Sequence, residues 1–196
     1  MKTQGFFIQQ DNEKIARIDY RTNQLKTLKV PGLTKVTSGS GFSYCETLGG
    51  RFFISGGYAS GEGTLHELVS MSKMEIRQPM INARDSHCMT AIGGECLFVT
   101  GGVKSESEVM SECEIYEAKI NKWKKVASMN EARACHAAVE IKEGLLYVFC
   151  GQGAGNKFLS SIERYTEKTN NWDIIKTDVK VPGRTYPGAV GIKGGD

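Results

Sequence analysis

The sequence predicts an all-β chain built from repeated four-stranded antiparallel sheets. Three observations predict it. The stretch ARDSHCMTAIGGECLFVTGG, from Ala83, returns from Ala132 as ARACHAAVEIKEGLLYVFCG. In three copies a short apolar run ends at glycine, as in FFISGG, CLFVTGG and YVFCG. No segment holds a sustained apolar stripe at i, i+3, i+4 and i+7, so helices are expected to be few or absent.

The repetition keeps one offset, 49 residues, across chemically matched positions. Arg84 falls on Arg133, His87 on His136, Ile92 on Ile141 and Phe98 on Tyr147. Val99 falls on Val148, Gly102 on Gly151, Asn121 on Asn170, and Met80 on Met129. Tyr116 falls on Tyr165 and Trp123 on Trp172. A weaker copy, GGRFFISGG from Gly49, matches GGECLFVTGG at an offset of 45, with Phe42 in the histidine position. There Val69 and Met74 are read at the Tyr and Trp positions, across a turn two residues shorter. The weakest copy, GFFIQQD from Gly5, puts Gln10 and Asp11 where the two glycines stand. Tyr20 and Leu25 follow it with the same short turn.

Each unit carries four strand signals. The chain opens on a second-type strand, FFIQ, with third- and fourth-type strands after it. In the unit from Arg84 the first strand is SHCMTAI and the second is CLFVT, a continuous apolar run of the kind that is covered on both faces. The third, SECEIYEA, and the fourth, KWKKVA, alternate with period two and are expected to be half-buried. Gly93-Gly94, Gly101-Gly102 and Asn121-Lys122 mark the turns between them. Glu112 and Glu114 are read as solvent-facing and His66 as a solvated loop residue. The stretch VFCGQGAGN offers a phosphate-cradling alternative. A dinucleotide fingerprint, however, requires a helix directly after its glycines and an acidic residue about 20 positions on. NKFLSSIERYTEKTNNW follows instead and aligns with the loop, strand, turn and strand of SESEVMSECEIYEAKINKW.

Small sheets at a period near 50 read as blades of a β-propeller, because a single blade cannot cover both of its faces and radial stacking lets neighbours cover them. The recurring residues resemble the kelch repeat. Arg84, His87, Gly101-Gly102, Tyr116 and Trp123 carry the resemblance in one copy; Arg133, His136, Gly151, Tyr165 and Trp172 carry it in the next. Gly56 and Gly57 extend it to the earlier copy. The departures are Cys150 for a first glycine, Gln10-Asp11 for a pair, and the two copies without Trp.

One kelch propeller domain is therefore expected over 1–196, with a partial blade over 1–37, blades over 38–80, 81–129 and 130–178, and a final inner strand within 179–196. Sixteen strands result. The last is the type missing from the first unit, so a closed four-bladed ring is one reading. An open or truncated arc is favoured over it, because kelch rings resemble assemblies of five to seven blades.

The net charge of +3 and the scattered lysines leave no nucleic-acid footprint. No apolar run is long enough for a membrane-spanning helix. The six cysteines show no CxxC spacing and read as buried free thiols in a reducing compartment, cytoplasmic or nuclear. No metal or cofactor is expected. His87 and His136, being a repeat pair, point to packing or a strand-end hydrogen bond. The kelch-type blades of copper radical oxidases need a metal cage that three histidines do not suit.

Chemistry then passes to the surface. One rim gathers the loops 58–64, 103–109 and 152–158 with the connectors that enter the first strands. On it Arg84, Arg133, Arg184, Tyr58, Lys104, Asn156, Lys157 and Tyr186 are the partner-binding candidates. The resemblance to kelch-like substrate adaptors of cullin ubiquitin ligases implies a rim that takes short acidic peptides, with arginines gripping carboxylates. The alternative is that these arginines brace the blades through backbone carbonyls. In the binding case Arg133→Ala weakens binding and leaves the melting temperature nearly unchanged. The expected function is a non-enzymatic protein-interaction module, scaffold or adaptor, joined by further kelch blades or a BTB-type partner. A kelch-type sugar epimerase, lyase or oxidase with an axial pocket is the alternative, disfavoured by the small apolar inner strands CMTAI, AAVEI and GAVGI.

Overall fold

The computed structural model describes residues 5–11, 14–19, 22, 24–29, 41–57, 63–70, 73–104, 108–176, 182–185 and 187. Among them every regular element is a strand, apart from two single 3-10 turns at Ala154–Asn156 and Glu167–Thr169. The first of these turns lies within the glycine-rich stretch and leads into strand, not helix, which removes the phosphate-loop alternative.

Strands β1 (Gly5–Asp11), β2 (Lys14–Asp19) and β3 (Gln24–Lys29) form a three-stranded sheet. Strands β4 (Phe42–Glu46), β5 (Phe52–Gly56), β6 (Leu65–Ser70) and β7 (Lys73–Arg77) form the next. The third joins β8 (Cys88–Ile92), β9 (Cys96–Thr100), β12 (Cys113–Glu117) and β13 (Lys122–Val126). Between its second and third strands the loop expected over 103–109 makes a small ladder of its own, β10 (Val103–Lys104) with β11 (Glu108–Val109). The fourth joins β14 (Ala137–Lys142), β15 (Leu145–Phe149), β16 (Ile162–Thr166) and β17 (Asn171–Ile174). All are antiparallel meanders. The sixteenth expected strand, within 179–196, lies outside the described residues.

The second, third and fourth sheets stack face to face, with the first strands β4, β8 and β14 side by side. In the second sheet the unbroken apolar run of β5 is the most enclosed, with all five residues buried; in the third sheet β9 and the third strand β12 each bury four of five, and in the fourth β15 and β16 each bury two. Two clusters fill the seams. Between the second and third sheets, Phe53 and Leu65 meet Leu97, Val99 and Tyr116. The Phe53 and Tyr116 rings pack edge-on at 6.0 Å. Between the third and fourth, Phe98, Cys113 and Ile115 meet Leu146, Val148, Tyr165 and Trp172. Phe98 lies edge-on to Tyr165 at 4.8 Å and to Trp172 at 6.1 Å. Each fully buried Phe or Leu contributes about 1.5–3 kcal/mol, so one seam outweighs any single polar contact in it.

The recurring Asn, Tyr and Trp form a clasp at the outer edge of each seam. Trp123 Nε1 donates to the Gln78 carbonyl (2.7 Å), and Asn121 Oδ1 accepts from the Gln78 N–H (3.0 Å) and the Tyr116 hydroxyl (2.8 Å). Trp172, Asn170 and Tyr165 repeat this on Ala127 at 2.9, 2.9 and 3.0 Å. Both asparagines hold left-handed backbone, φ 54° and 47°, which Asn tolerates better than most residues.

Two assignments in the weaker copies change. In the second sheet Leu68, not Val69, takes the Tyr position, pairing with Phe52 and Met74 as Tyr116 pairs with Leu97 and Trp123. A register shift between Leu68 and Ser70 absorbs the shorter turn, which misled the count along the sequence. In the first sheet Ile18, not Tyr20, pairs with Leu25, and Tyr20 lies outside the described residues.

Candidate functional site

The first strands β8 and β14 are each entered through a connector that an arginine fixes. Arg84 Nη1 donates to the carbonyls of Gly101 (2.8 Å) and Glu112 (2.7 Å), its Nε to that of Asn82 (3.1 Å), and its Nη2 to Glu114 Oε1 (2.7 Å). The same carboxylate accepts the backbone N–H groups of Ile81 (2.7 Å) and Asn82 (2.9 Å). Arg133 repeats the pattern, donating to the Cys150 and Ser161 carbonyls and to Glu163 Oε1 at 2.6 Å, while Glu163 accepts from Asn130 and Glu131 N–H. All four charged side chains are fully buried. Arg84 and Arg133 are therefore braces, and neither offers its charge to a partner; this corrects their reading as binding residues. Glu114 is corrected with them, because its alternation partner faces solvent while its own carboxylate closes the brace. His66, read as a loop residue, sits half-buried on β6 opposite Ile54, at the register position that Glu114 holds opposite Val99.

The two repeat histidines serve the seams. His87 Nε2 lies 2.8 Å from Ser55 Oγ of the preceding sheet, and His136 Nε2 lies 2.7 Å from Thr100 Oγ1. Each hydroxyl also reaches a second group, Met89 Sδ for Ser55 at 3.4 Å and the Cys88 carbonyl for Thr100 at 3.5 Å. Burial, reinforced by Arg84, pushes the His87 pKa down to about 3. Burial and the Arg133 charge hold His136 well below the ordinary imidazole range. Both rings are neutral at pH 7.

The glycines make room for this contact. Gly56, Gly57, Gly101, Gly102 and Gly151 all have positive φ. A Cβ on Gly102 would come within 2.6 Å of the Asp85 carbonyl, and one on Gly151 within 2.7 Å of His136 Cβ. Cys150 keeps the conformation of a first glycine, φ 56°, with a side chain, and its Sγ lies 4.0 Å from the Pro182 carbonyl.

What faces solvent is the loop rim. Lys104, Asn156 and Lys157 are exposed there; Asn156 Oδ1 holds Gln152 Nε2 at 2.5 Å. Arg184 is exposed, with the Pro182 carbonyl at 3.4 Å from its Nε. Tyr58 and Tyr186 lie outside the described residues. The rim also carries Phe158, 61% exposed, which the sequence reading passed over. A lone aromatic in a loop of Gly, Asn and Lys was the available signal. The 152–158 bridge holds it, and a Cβ on Gly183 would lie 2.8 Å from the Phe158 carbonyl, so the loop and the last described connector abut.

Among the described residues no three His, Cys, Asp or Glu side chains converge as a metal cage would need, and all six thiols are free. Among the described residues no helix is long and apolar enough to cross a membrane.

No curated protein matches the chain. A family model described as the KLHDC2/KLHL20/DRC7 Kelch-repeats domain matches residues 5–193. With its antiparallel four-stranded sheets, its Gly, Tyr and Trp positions and nearly its whole length accounted for, the chain belongs to the kelch-repeat family of β-propeller protein-interaction domains.

Proposed function

We propose that the chain acts as a non-catalytic scaffold or substrate adaptor that takes a protein segment on the blade-four end of its loop rim. The observation that carries this reading is Phe158, a large apolar ring left in water on a loop fixed at both ends. Lys157 lies beside it, and no carboxylate occurs between Cys150 and Ser161. Such a surface suits a segment that places an apolar side chain on Phe158 and an acidic one on Lys157, with Asn156 at its edge. His87 and His136, of the type an enzyme would bring to a pocket, are used inside the seams instead.

A photo-crosslinking residue at position 158 should capture a partner that one at Leu48, exposed at the far end of the sheets, does not. Phe158→Ala and Lys157→Glu should each lower capture about tenfold or more while the melting temperature stays within about 2 °C, because both side chains are solvated. Equal capture at both positions, or capture indifferent to the two substitutions, refutes the assignment.

A further inference from the structure

The two seams share one clasp, but the residues around it differ. At the seam between the third and fourth sheets Asn130 folds inward. Its Nδ2 donates to Glu163 Oε2 at 2.8 Å and to the Trp172 carbonyl at 3.1 Å. Ser128, Thr169 and Asn171 are the other residues of that edge, and Trp172 is buried.

One repeat earlier the same positions hold other chemistry. Ile81 stands for Asn130, and the backbone places them alike: the N–H of each donates to the buried glutamate of its seam at 2.7 Å, Ile81 to Glu114 and Asn130 to Glu163. Pro79 stands for Ser128, Ile120 for Thr169 and Lys122 for Asn171. Ile81 has no amide to turn inward. It is 47% exposed, and Ile120 is 57% exposed. With Pro79, Lys122 and the half-buried Trp123 they line an open groove of about 530 Å³.

Packing does not account for this choice. The later seam closes with Asn130 and with hydrogen bonds that isoleucine cannot make. Each isoleucine instead leaves apolar surface in water, an unfavourable exposure that ends only when something covers it. The charges identify the cover. Lys122 lines the groove and Lys119 precedes Ile120, both exposed, and no lining residue carries a carboxylate. Glu117, opposite Lys122 across the strand pair, is taken by Lys124 at 2.9 Å. Because β13 is the outermost strand of its sheet, the groove opens at the side of the molecule.

We infer that this groove is a docking site for an acidic segment of another protein, which sets an apolar side chain between Ile81 and Ile120 against Trp123 and a carboxylate beside Lys122. The assignment is independent of the rim reading, since it concerns the outer edge of the seam between the second and third sheets and not the loop bearing Phe158.

The test uses the full chain and a variant given the later seam's residues, Ile81→Asn, Ile120→Thr and Lys122→Asn together. Asparagine at position 81 can make the bonds of Asn130, so the triple variant should melt no lower than the parent. A fall of more than about 4 °C, the shift that one kcal/mol produces in a chain of this size, would show that the isoleucines serve packing and overturn the proposal. Short random peptides displayed as a library are then selected on the parent. The selected peptides should pair an apolar residue with Asp or Glu. They should bind the triple variant and Lys122→Glu about tenfold more weakly or worse, and bind Phe158→Ala unchanged. Acrylamide quenching of tryptophan emission should fall on binding, since Trp123 is the half-exposed one of the two tryptophans. If every selected peptide loses affinity at Phe158→Ala and none in the triple variant, the segment belongs to the rim and the groove is refuted. Selection of basic or carboxylate-free peptides overturns the proposal, as does a selection in which no peptide distinguishes the parent from the triple variant. So does a concentration-dependent dimer that the triple variant dissolves, which would give the groove to a second copy of the chain.

Discussion

His87 and His136 are held neutral in seams that exclude water, and protonation must either charge a buried ring or break the seam. An imidazole whose folded pKa is depressed adds stability above its unfolded value near 6.5, and that stability is lost as pH falls toward the folded value, about 3 for His87. Urea midpoints should therefore fall steadily from pH 7 to pH 4. His87→Gln combined with His136→Gln should flatten the part of that slope above pH 4.5. Glu67 enters lower down: burial alone would raise its pKa, but hydrogen bonds from Arg51 and Arg77 outweigh it and bring the value below 4.5. A midpoint that does not change between pH 7 and 5 would remove the neutral-imidazole account. The arginines are judged at the same scale. Arg133→Ala leaves Glu163 buried beside Asn130 and Glu131 with no cation in contact, a loss of about 3–5 kcal/mol. For a chain of this size each kcal/mol shifts the melting temperature by about 2–4 °C, so the loss is plain in a thermal scan. An unchanged melting temperature would return Arg133 to the list of binding residues.

At the scale of strands and sheets, Trp172 shows why the aromatic recurs. It packs on Phe98 of the preceding sheet and ties Ala127 through its indole N–H, so Trp172→Ala removes a seam contact and a clasp together. A loss of about 3–5 kcal/mol is expected, read as a lower urea midpoint, while Lys125→Ala on the exposed side of β13 should change it by less than about 0.5 kcal/mol. The strands, their order and the recurrence of Asn, Tyr and Trp were legible in the sequence because period-two alternation and a fixed offset leave one consistent register; the hydrogen bonds of the clasp to Gln78 and Ala127 were not, because they cross to the preceding sheet. The shorter copies were less legible. A bulge at Leu68–Ser70 changes the pairing without changing the composition, so counting residues placed Val69 where Leu68 belongs. Glu114 was illegible for another reason. Alternation assigns a side chain to a face, but only the path of the connector at Ile81 and Asn82 shows that this face is covered there.

Across the whole molecule, cohesion runs from neighbour to neighbour. Around the axis the Ser86 N–H donates to the Gly41 carbonyl at 2.6 Å, and the Cys135 N–H to that of Ser86 at 2.8 Å, so each connector hangs on the one before. Among the described residues no cluster of buried side chains spans three sheets: one joins the second to the third, the other the third to the fourth. Stability in such an array is the sum of unit terms and shared seams, and a lost seam is felt by the two units that share it. Phe98→Ala empties the centre of the seam between the third and fourth sheets at a cost of about 3–5 kcal/mol. Amide exchange should then accelerate in β9, β12, β15 and β16 and stay near its original rate in β5 and β6, whose seam rests on Phe53, Leu65 and Tyr116. Equal acceleration in all the sheets would mean that the chain opens as one unit, and that the hydrogen bonds between inner connectors, more than the apolar seams, set its cooperativity.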